Sequence, residues 1–233
     1  MENSKNLLPS LLVAVSLVFS AVILSFGFEK IAKPDRVVSV RGLAEREVDA
    51  DLAVWPLTYK IGSNTMDEIQ DGLKVRSKAA IEYLKSFGLT ESDWTVQAPQ
   101  VNDNRLNSYM DHRVYDLIAQ QTILVRSSNV QAVKKAQESS LALLDKGIAV
   151  GQDYGQTITY EFTKLNEIKP QMIAEATASA RAAAEQFAHD SNSKVGKIKS
   201  ATQGLFTIEA AAAGLEEKKS VRVVTTVVYL LKD

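Results

Sequence analysis

Apolar and polar residues alternate along several stretches of the chain, and this period of two predicts β-strands. The predicted strands cover residues 36–42, 52–61, 94–101, 113–126, 154–162, 197–207 and 220–231. Residues 222–231 are apolar almost without interruption, which predicts a central strand covered on both faces. Pro56 removes a backbone donor from the strand at 52–61, so we expect that strand at a sheet edge or at a bulge.

Apolar residues recur at helical spacing in three other stretches. A capping box that begins at Thr65 opens a predicted helix over 65–87. Ser128 or Asn129 caps a predicted middle helix over about 129–146.

The stretch 164–198 predicts one long helix that is rich in alanine. Pro170 is placed in its first turn, and Asn192 and Gly196 are predicted stop signals. Small side chains would let this helix lie close to a sheet or to another helix. Its predicted apolar stripe consists of Met172, Ile173, Ala176, Ala180, Ala183, Ala184 and Phe187.

The order of these elements predicts an α+β fold with a mostly antiparallel sheet. Strand, helix, strand, strand occurs at about 52–126 and again at about 154–231, and the helix at 129–146 joins the two β-α-β-β units. The charged residues at 45–51 are predicted to form a turn between the first two strands.

The N-terminal segment differs from the rest of the chain. Residues 7–28 are almost wholly apolar and close to the length that spans a bilayer, so residues 1–28 are predicted to be a transmembrane anchor. A cleaved signal segment is the alternative. Residues 29–35 are predicted to be a linker and 36–233 an α+β domain. Basic residues flank the span on both sides, so the charge distribution does not favour export of the domain.

Composition excludes several classes of protein. The 233 residues are enough for a substantial core, and 45% of them are hydrophobic. The net charge of −1 argues against a nucleic-acid partner. Because there is no cysteine, disulfides, thiolate catalysis and cysteine metal sites are excluded.

No catalytic, cofactor or metal motif emerges from the remaining chemistry. His112 and His189 lie in different halves of the chain, so we interpret both as structural or surface residues. The carboxylates spaced two residues apart within 45–51 could hold a hard cation, but a solvated turn is the preferred interpretation. We therefore predict that the protein is not an enzyme.

Three residues are candidates for contacts with a partner. Arg105 and Tyr109 lie in the polar hairpin loop at 102–111 and belong to residue types favoured at interfaces. Arg181 lies beside the alanine stripe and could pair with a carboxylate of a neighbouring subunit. The alternative for the loop is a mobile hairpin, and for Arg181 a position on the helix surface.

Two segments resemble the SIMPL-domain family. The stretch VVSVRGLAEREVDADLAVWPLTY is similar to the opening of that family, and ATASARAAAEQFAHDSNSKVGKI to its alanine-rich helix and following turn. In the second segment Ala180 and Arg181 form the Ala-Arg pair, and residues 195–198 form the turn into a strand. The resemblance covers roughly 37–233. It implies a bacterial envelope protein without an established enzymatic activity, linked to stress tolerance and in some cases to ring-like oligomers.

Two functional hypotheses follow. The first is a non-enzymatic, self-associating protein that is anchored in the inner membrane by residues 7–28, with its domain in the periplasm. Secretion to the periplasm after signal cleavage is the alternative location. The second is a binding or adaptor module that takes a peptide or small ligand in a groove or at a strand edge. A carboxylate hydrolase is disfavoured, because nothing in the spacing brings two acidic groups together.

Overall fold

A computed structural model of the chain describes residues 12, 13, 15–23, 35–106, 114–150 and 157–233. It has a mixed α+β fold with antiparallel sheets, as the sequence predicts. The strands are β1 (Val37–Asp49), β2 (Leu52–Ser63), β3 (Trp94–Val96), β4 (Gln100–Asp103), β5 (Leu117–Ser127), β6 (Thr159–Glu161), β7 (Lys194–Gln203), β8 (Thr207–Ala210) and β9 (Lys218–Lys232). The helices are α1 (residues 12, 13 and 15–23), α2 (Met66–Ser86), α3 (Val130–Glu138) and α4 (Leu165–Asp190).

The predicted transmembrane span lies partly outside the described residues. Of residues 7–28, the described ones form the exposed helix α1. Within the described part of the chain, no helix is both long enough and apolar enough to cross a membrane. The predicted linker at 29–35 is described only at Asp35.

The first sheet has the strand order β3-β5-β2-β6, and β4 also pairs with β5. β5 pairs along its whole length with Ala53–Ser63 of β2, and α2 and α3 pack against the two strands. β2 is an edge strand over only part of its length, because it pairs with β6 over Leu52–Val54, whereas at Pro56 it pairs with β5 alone among the described strands. Pro56 lies beyond that short ladder and opposite Leu124 of β5, so its missing N–H breaks no bond to β6.

The second sheet has the order β1-β9-β7, with β8 also paired to β9. β9 is central, as predicted, but it is not covered on both faces. Its buried residues alternate with more exposed ones: Val221, Val223, Thr225, Val227 and Tyr229 are buried. The long apolar run reflects β-propensity as well as burial.

β1 continues through the residues predicted as a turn. Glu45, Glu47 and Asp49 are exposed, while the residues between them are half-buried. This period of two is a strand pattern in which the charges point to solvent. The three carboxylates therefore line one face of a strand.

α4 buries one residue in every four, namely Met172, Ala176, Ala180, Ala184 and Ala188. The inclusion of Phe187 in the stripe is wrong, because its side chain is 61% exposed and Ala188 takes the buried position. Pro170 is the sixth helical residue rather than part of the first turn. Asn192 follows the helix with φ 51°, a common helix-ending conformation, whereas Gly196 lies inside β7.

The second β-α-β-β run does not build a sheet of its own. The order strand, helix, strand, strand occurs twice along the chain, but β6 pairs with β2 of the first sheet, and β7 pairs with β9 of the second. A pattern along the chain therefore predicted the order of the elements but not their pairing.

The chain divides into two compact units. One comprises Met1–Leu43, Ala176–Gly204 and Thr225–Asp233, and its core is formed by Val40, Ala180, Ala184, Val227 and Tyr229. The other comprises Ala44–Glu175 and Leu205–Val224. Its core is larger, and its most deeply buried side chains include Leu57, Tyr59, Ile69, Leu84, Ile123 and Val133.

Candidate functional site

Arg105 lies in a short 3-10 turn (Asn104–Leu106) after β4. Its guanidinium donates through Nε and Nη2 to the two carboxylate oxygens of Asp103, at 2.9 and 2.6 Å. This hydrogen bonding raises the pKa of Arg105. Tyr109 lies outside the described residues. The predicted role of both residues in partner contacts stays a prediction.

Arg181 projects from α4, and its side chain is 67% exposed. Nε donates to Oε1 of Glu185, one turn further along the helix, at 2.9 Å, and this bond raises the pKa of Arg181. Such exposed pairs contribute little to stability. Because the bond to Glu185 uses only Nε, the Nη groups of the guanidinium can donate to a further acceptor.

An open groove of about 520 Å³ adjoins this pair at the C-terminal end of α4. Besides Arg181 and Glu185, it is lined by Ala188, His189, Asn192, Ser193, Lys194, Val195 and Asp233. Its volume falls within the usual range for small-ligand sites, but its rim is charged and its walls are largely exposed.

The polar groups in this groove form a recognition surface rather than a set of reacting groups. Ser193 Oγ accepts a hydrogen bond from Arg36 Nη2 at 3.2 Å and contacts the Ser191 carbonyl at 3.3 Å. Arg36 also pairs with Asp233. His189 Nδ1 lies 3.4 Å from the carboxylate of Asp190, and its side chain is almost fully exposed. Among these described contacts, none places a base against the Ser193 hydroxyl.

A buried polar cluster escaped the sequence analysis. The hydroxyls of Tyr59 and Ser77 both donate to Oε1 of Gln121, at 2.8 and 2.7 Å, and Gln121 Nε2 donates to the Gln97 carbonyl at 3.2 Å. Burial raises the pKa of Tyr59. The available signal was a glutamine at an inward position of the alternating strand β5. Because its polar atoms are satisfied internally, this cluster is a structural element of the core.

Lys134 and Glu217 form the most enclosed of the described ion pairs, with side chains that are 28% and 12% exposed. The hydrogen bond from Lys134 lowers the pKa of Glu217 and raises that of Lys134. In the described part of the chain, no group of three or more acidic or histidine side chains converges as a metal site requires.

The two edge strands of the second sheet, β7 and β1, differ in the features that prevent pairing with another chain. At one edge, β7 carries three exposed lysines, Lys194, Lys197 and Lys199, and its pairing with β9 shifts register twice. Lysines and bulges are the features by which natural sheets prevent pairing with another chain. β7 is therefore a protected edge.

β1, at the opposite edge, lacks these protections. It contains no lysine, no proline and no glycine after Gly42. Two backbone bonds at the ends of its ladder with β9 have equal spacing along both strands: Leu231 N–H donates to the Arg36 carbonyl at 2.8 Å, and Ala50 N–H donates to the Glu217 carbonyl at 2.8 Å. At this spacing even-numbered residues point their backbone groups at β9, and odd-numbered residues point theirs to the other edge, where no strand among the described residues pairs with β1.

The odd-numbered side chains of β1 all lie on its exposed face. Leu43 is 42% exposed, and it has Arg41 on one side and Glu45 on the other. Arg41 makes no hydrogen bond or ion pair within the described residues. Glu45 accepts from the Ser220 hydroxyl at 2.8 Å and forms no ion pair with a described residue, although the spacing of β1 and β9 places Arg222 across from it. β1 thus presents an apolar centre between two charges of opposite sign.

Comparison with known proteins agrees with the family resemblance of the sequence. A search of curated proteins found no match. Residues 38–229 match the SIMPL family, which is described as a protein of unknown function (DUF541). The match includes the strands β2 to β8, the helix α4 and most of β1 and β9. The chain belongs to the SIMPL family.

Proposed function

We propose that this chain is a non-enzymatic envelope protein that self-associates through its folded domain. The observation that carries the proposal is the long edge strand β1, which contains no lysine and whose N–H and C=O groups at odd-numbered residues face away from β9. An exposed edge of this length is a site for pairing with another chain. The described polar clusters, which are engaged within the fold, support a structural role over a catalytic one.

The location of the protein is part of the same proposal. Residues 7–28 anchor the chain in the inner membrane, and the domain lies in the periplasm, with secretion after signal cleavage as the alternative. The apolar composition of this segment and the family resemblance support the location. Extraction of membranes at alkaline pH separates the two alternatives, because an anchored chain stays in the pellet and a cleaved one is released.

The mass of the full chain in detergent tests self-association directly. Light scattering behind a sizing column, with the detergent contribution subtracted, is expected to give a discrete multiple of 25.5 kDa. A monomer at every concentration up to about 100 µM would contradict the proposal, since an association too weak to detect there has a Kd far above ordinary interface affinities.

A binding module is the second candidate, and the groove at the end of α4 favours it. Its charged groups would recognise a small polar ligand that carries a carboxylate or a similar acceptor, through Arg181 and Lys194. Arg181→Ala with Lys194→Ala is expected to abolish binding of such a ligand without changing the mass of the protein in solution. Loss of self-association in this variant would instead connect the groove to assembly.

A further inference from the structure

The backbone of β1 can accept one more antiparallel strand. The seven odd-numbered residues from Val37 to Asp49 have N–H and C=O groups that are not used by β9. In an antiparallel ladder, residues with outward-pointing groups pair with one another and exchange two hydrogen bonds per pair. A partner strand with the same spacing would satisfy them, and β1 of a second copy has that spacing.

We propose that β1 pairs antiparallel with β1 of a second copy of this chain, about a twofold axis at Leu43. This inference rests on the proposed self-association and identifies its surface. Leu43 then lies opposite the partner's Leu43, and Arg41 lies opposite the partner's Glu45. By symmetry, Glu45 faces the partner's Arg41, so two ion pairs flank an apolar centre. A twofold contact requires a self-complementary patch, and this strand has one.

The neighbouring registers of the β1–β1 ladder all have less favourable cross-strand pairs. Sliding the partner in one direction eventually sets Arg41 opposite the partner's Arg41, and sliding it in the other direction sets Glu45 opposite the partner's Glu45. The two intermediate registers set Leu43 against one of these charges. Like charges directly opposite each other destabilise a ladder, whereas opposite charges and apolar pairs stabilise it. The sequence of β1 therefore selects the register centred on Leu43.

On the opposite face of the new ladder, Gly42 would lie across from the partner's Ala44, so two small residues meet beside the contact between Gly42 and α4. Arg46 already donates to Glu175 at 2.7 Å and to Gln171 at 3.2 Å. It is therefore neutralised within its own chain and leaves Glu45 available to the partner.

Cysteine cross-linking of the full chain in detergent tests the axis, because the natural chain has no cysteine. In Leu43→Cys the two thiols lie on residues whose Cα atoms are about 5.5 Å apart in the proposed pair, within the range that a disulfide spans. Mild oxidation is expected to give a covalent dimer in high yield. Ser39→Cys is the matched control on the same strand and face. Its two copies would lie about 26 Å apart, and it should remain uncrosslinked.

Charge reversal tests the register independently of oxidation. Arg41→Glu and Glu45→Arg each set like charges opposite one another at two places, and each is expected to weaken dimerisation by about tenfold or more. The double variant Arg41→Glu with Glu45→Arg restores opposite charges, and its Kd should return to within about threefold of the natural value. Raising the salt concentration should weaken the natural dimer and the double variant alike.

The outcomes separate this inference from the proposed function. Efficient cross-linking at position 43 together with rescue in the double variant supports both. A natural chain that self-associates, but cross-links equally at positions 39 and 43 or shows no rescue, overturns the β1 pairing and leaves self-association standing. A strictly monomeric natural chain overturns both. Circular dichroism confirms folding of each variant, and because Arg41 and Glu45 are exposed, their variants still decide the question if Leu43→Cys fails to fold.

Discussion

Gly42 is the position where β1 and α4 come into backbone contact. A methyl group at this residue would lie 1.8 Å from the Ala176 carbonyl oxygen and 2.4 Å from the Ala180 nitrogen. These atoms belong to a helix backbone and cannot rotate away as the end of a side chain can. The two sequence segments that resemble the SIMPL family, one with Gly42 and one with the alanines of α4, therefore meet in one contact.

Gly42→Ala is expected to destabilise the protein by about 3 kcal/mol, the upper part of the range for overpacking a well-packed site. Urea unfolding measures the change. Gly72→Ala is the control, since the atoms nearest to its new methyl group are side-chain atoms, the end of Arg76 at 3.0 Å and Ile61 at 3.4 Å, rather than backbone. Glycine within a helix is unfavourable, so this variant should gain up to about 1 kcal/mol. Equal losses in the two variants would contradict the close-contact explanation.

The buried cluster of Tyr59, Ser77 and Gln121 gives an asymmetric prediction. Tyr59→Phe removes one donor, but Gln121 still accepts from Ser77, so the loss should be about 1 kcal/mol. Gln121→Leu removes the acceptor of both hydroxyls and the donor to the Gln97 carbonyl and should cost about 2 kcal/mol, although the Tyr59 and Ser77 hydroxyls, 2.8 Å apart, can still bond to each other. Urea unfolding of both variants checks the order, and a larger loss for Tyr59→Phe would show that the glutamine is not the centre of the cluster.

At the scale of elements, α4 is defined by the small side chains on its buried face. Ala184 is fully buried beside Tyr229 and Val227, whereas Ala182 on the same helix is exposed. Ala184→Leu should cost about 2 kcal/mol by overpacking, and Ala182→Leu should change stability by less than about 0.5 kcal/mol. Thermal unfolding of the two variants gives the comparison. Similar effects would mean that α4 does not present the described face to the sheet.

The sequence predicted elements well where local chemistry decides them. Thr65 caps α2 through a hydrogen bond to the Glu68 N–H, and Asn129 caps α3 through the Ala132 N–H, both as expected. The prediction failed at Phe187, since apolar character does not show which side of a helix faces the sheet. It also failed at Glu45, where charge suggested a turn although the alternation of a strand continued.

The exposed edge of β1 was harder to predict from the sequence than the helices and strands were. Arg41 lies in the predicted strand 36–42 and Leu43 just beyond its predicted end, and neither stands out, because an edge is defined by which strands pair and not by residue type. The sequence instead emphasised Arg105 and Arg181, and each forms a hydrogen-bonded ion pair within its own chain. Pairing between strands far apart in the sequence, such as β6 with β2, could not be predicted from local patterns either.

At the scale of the whole molecule, stability should fall in alkaline solution. Burial raises the pKa of Tyr83 and of Tyr160 to about 12, from an ordinary value of 10.0. The folded state thus keeps the phenol protons that the unfolded chain releases near pH 10. The stability that these protons provide is complete below pH 10 and is lost as the pH rises from 10 to 12.

Urea midpoints measured between pH 9 and pH 12 check this dependence. The double variant Tyr83→Phe with Tyr160→Phe should be less stable at pH 9, because Tyr83 loses its hydrogen bond to the Ala136 carbonyl, which is 2.5 Å long. Its midpoint should then fall less steeply than that of the natural protein. A parallel decline in both proteins would assign the alkaline sensitivity to other groups.

The lysines and register shifts of β7 have a consequence for the size of any assembly. A sheet that could add strands at both edges would polymerise, since every added copy would offer a new growing end. In the second sheet β1 is receptive, whereas the lysines and register shifts protect β7. With respect to these two strands the sheet can therefore be extended at one edge only, and the first addition terminates it. Growth beyond a pair would need a second kind of contact, or the loss of both the lysines and the register shifts of β7.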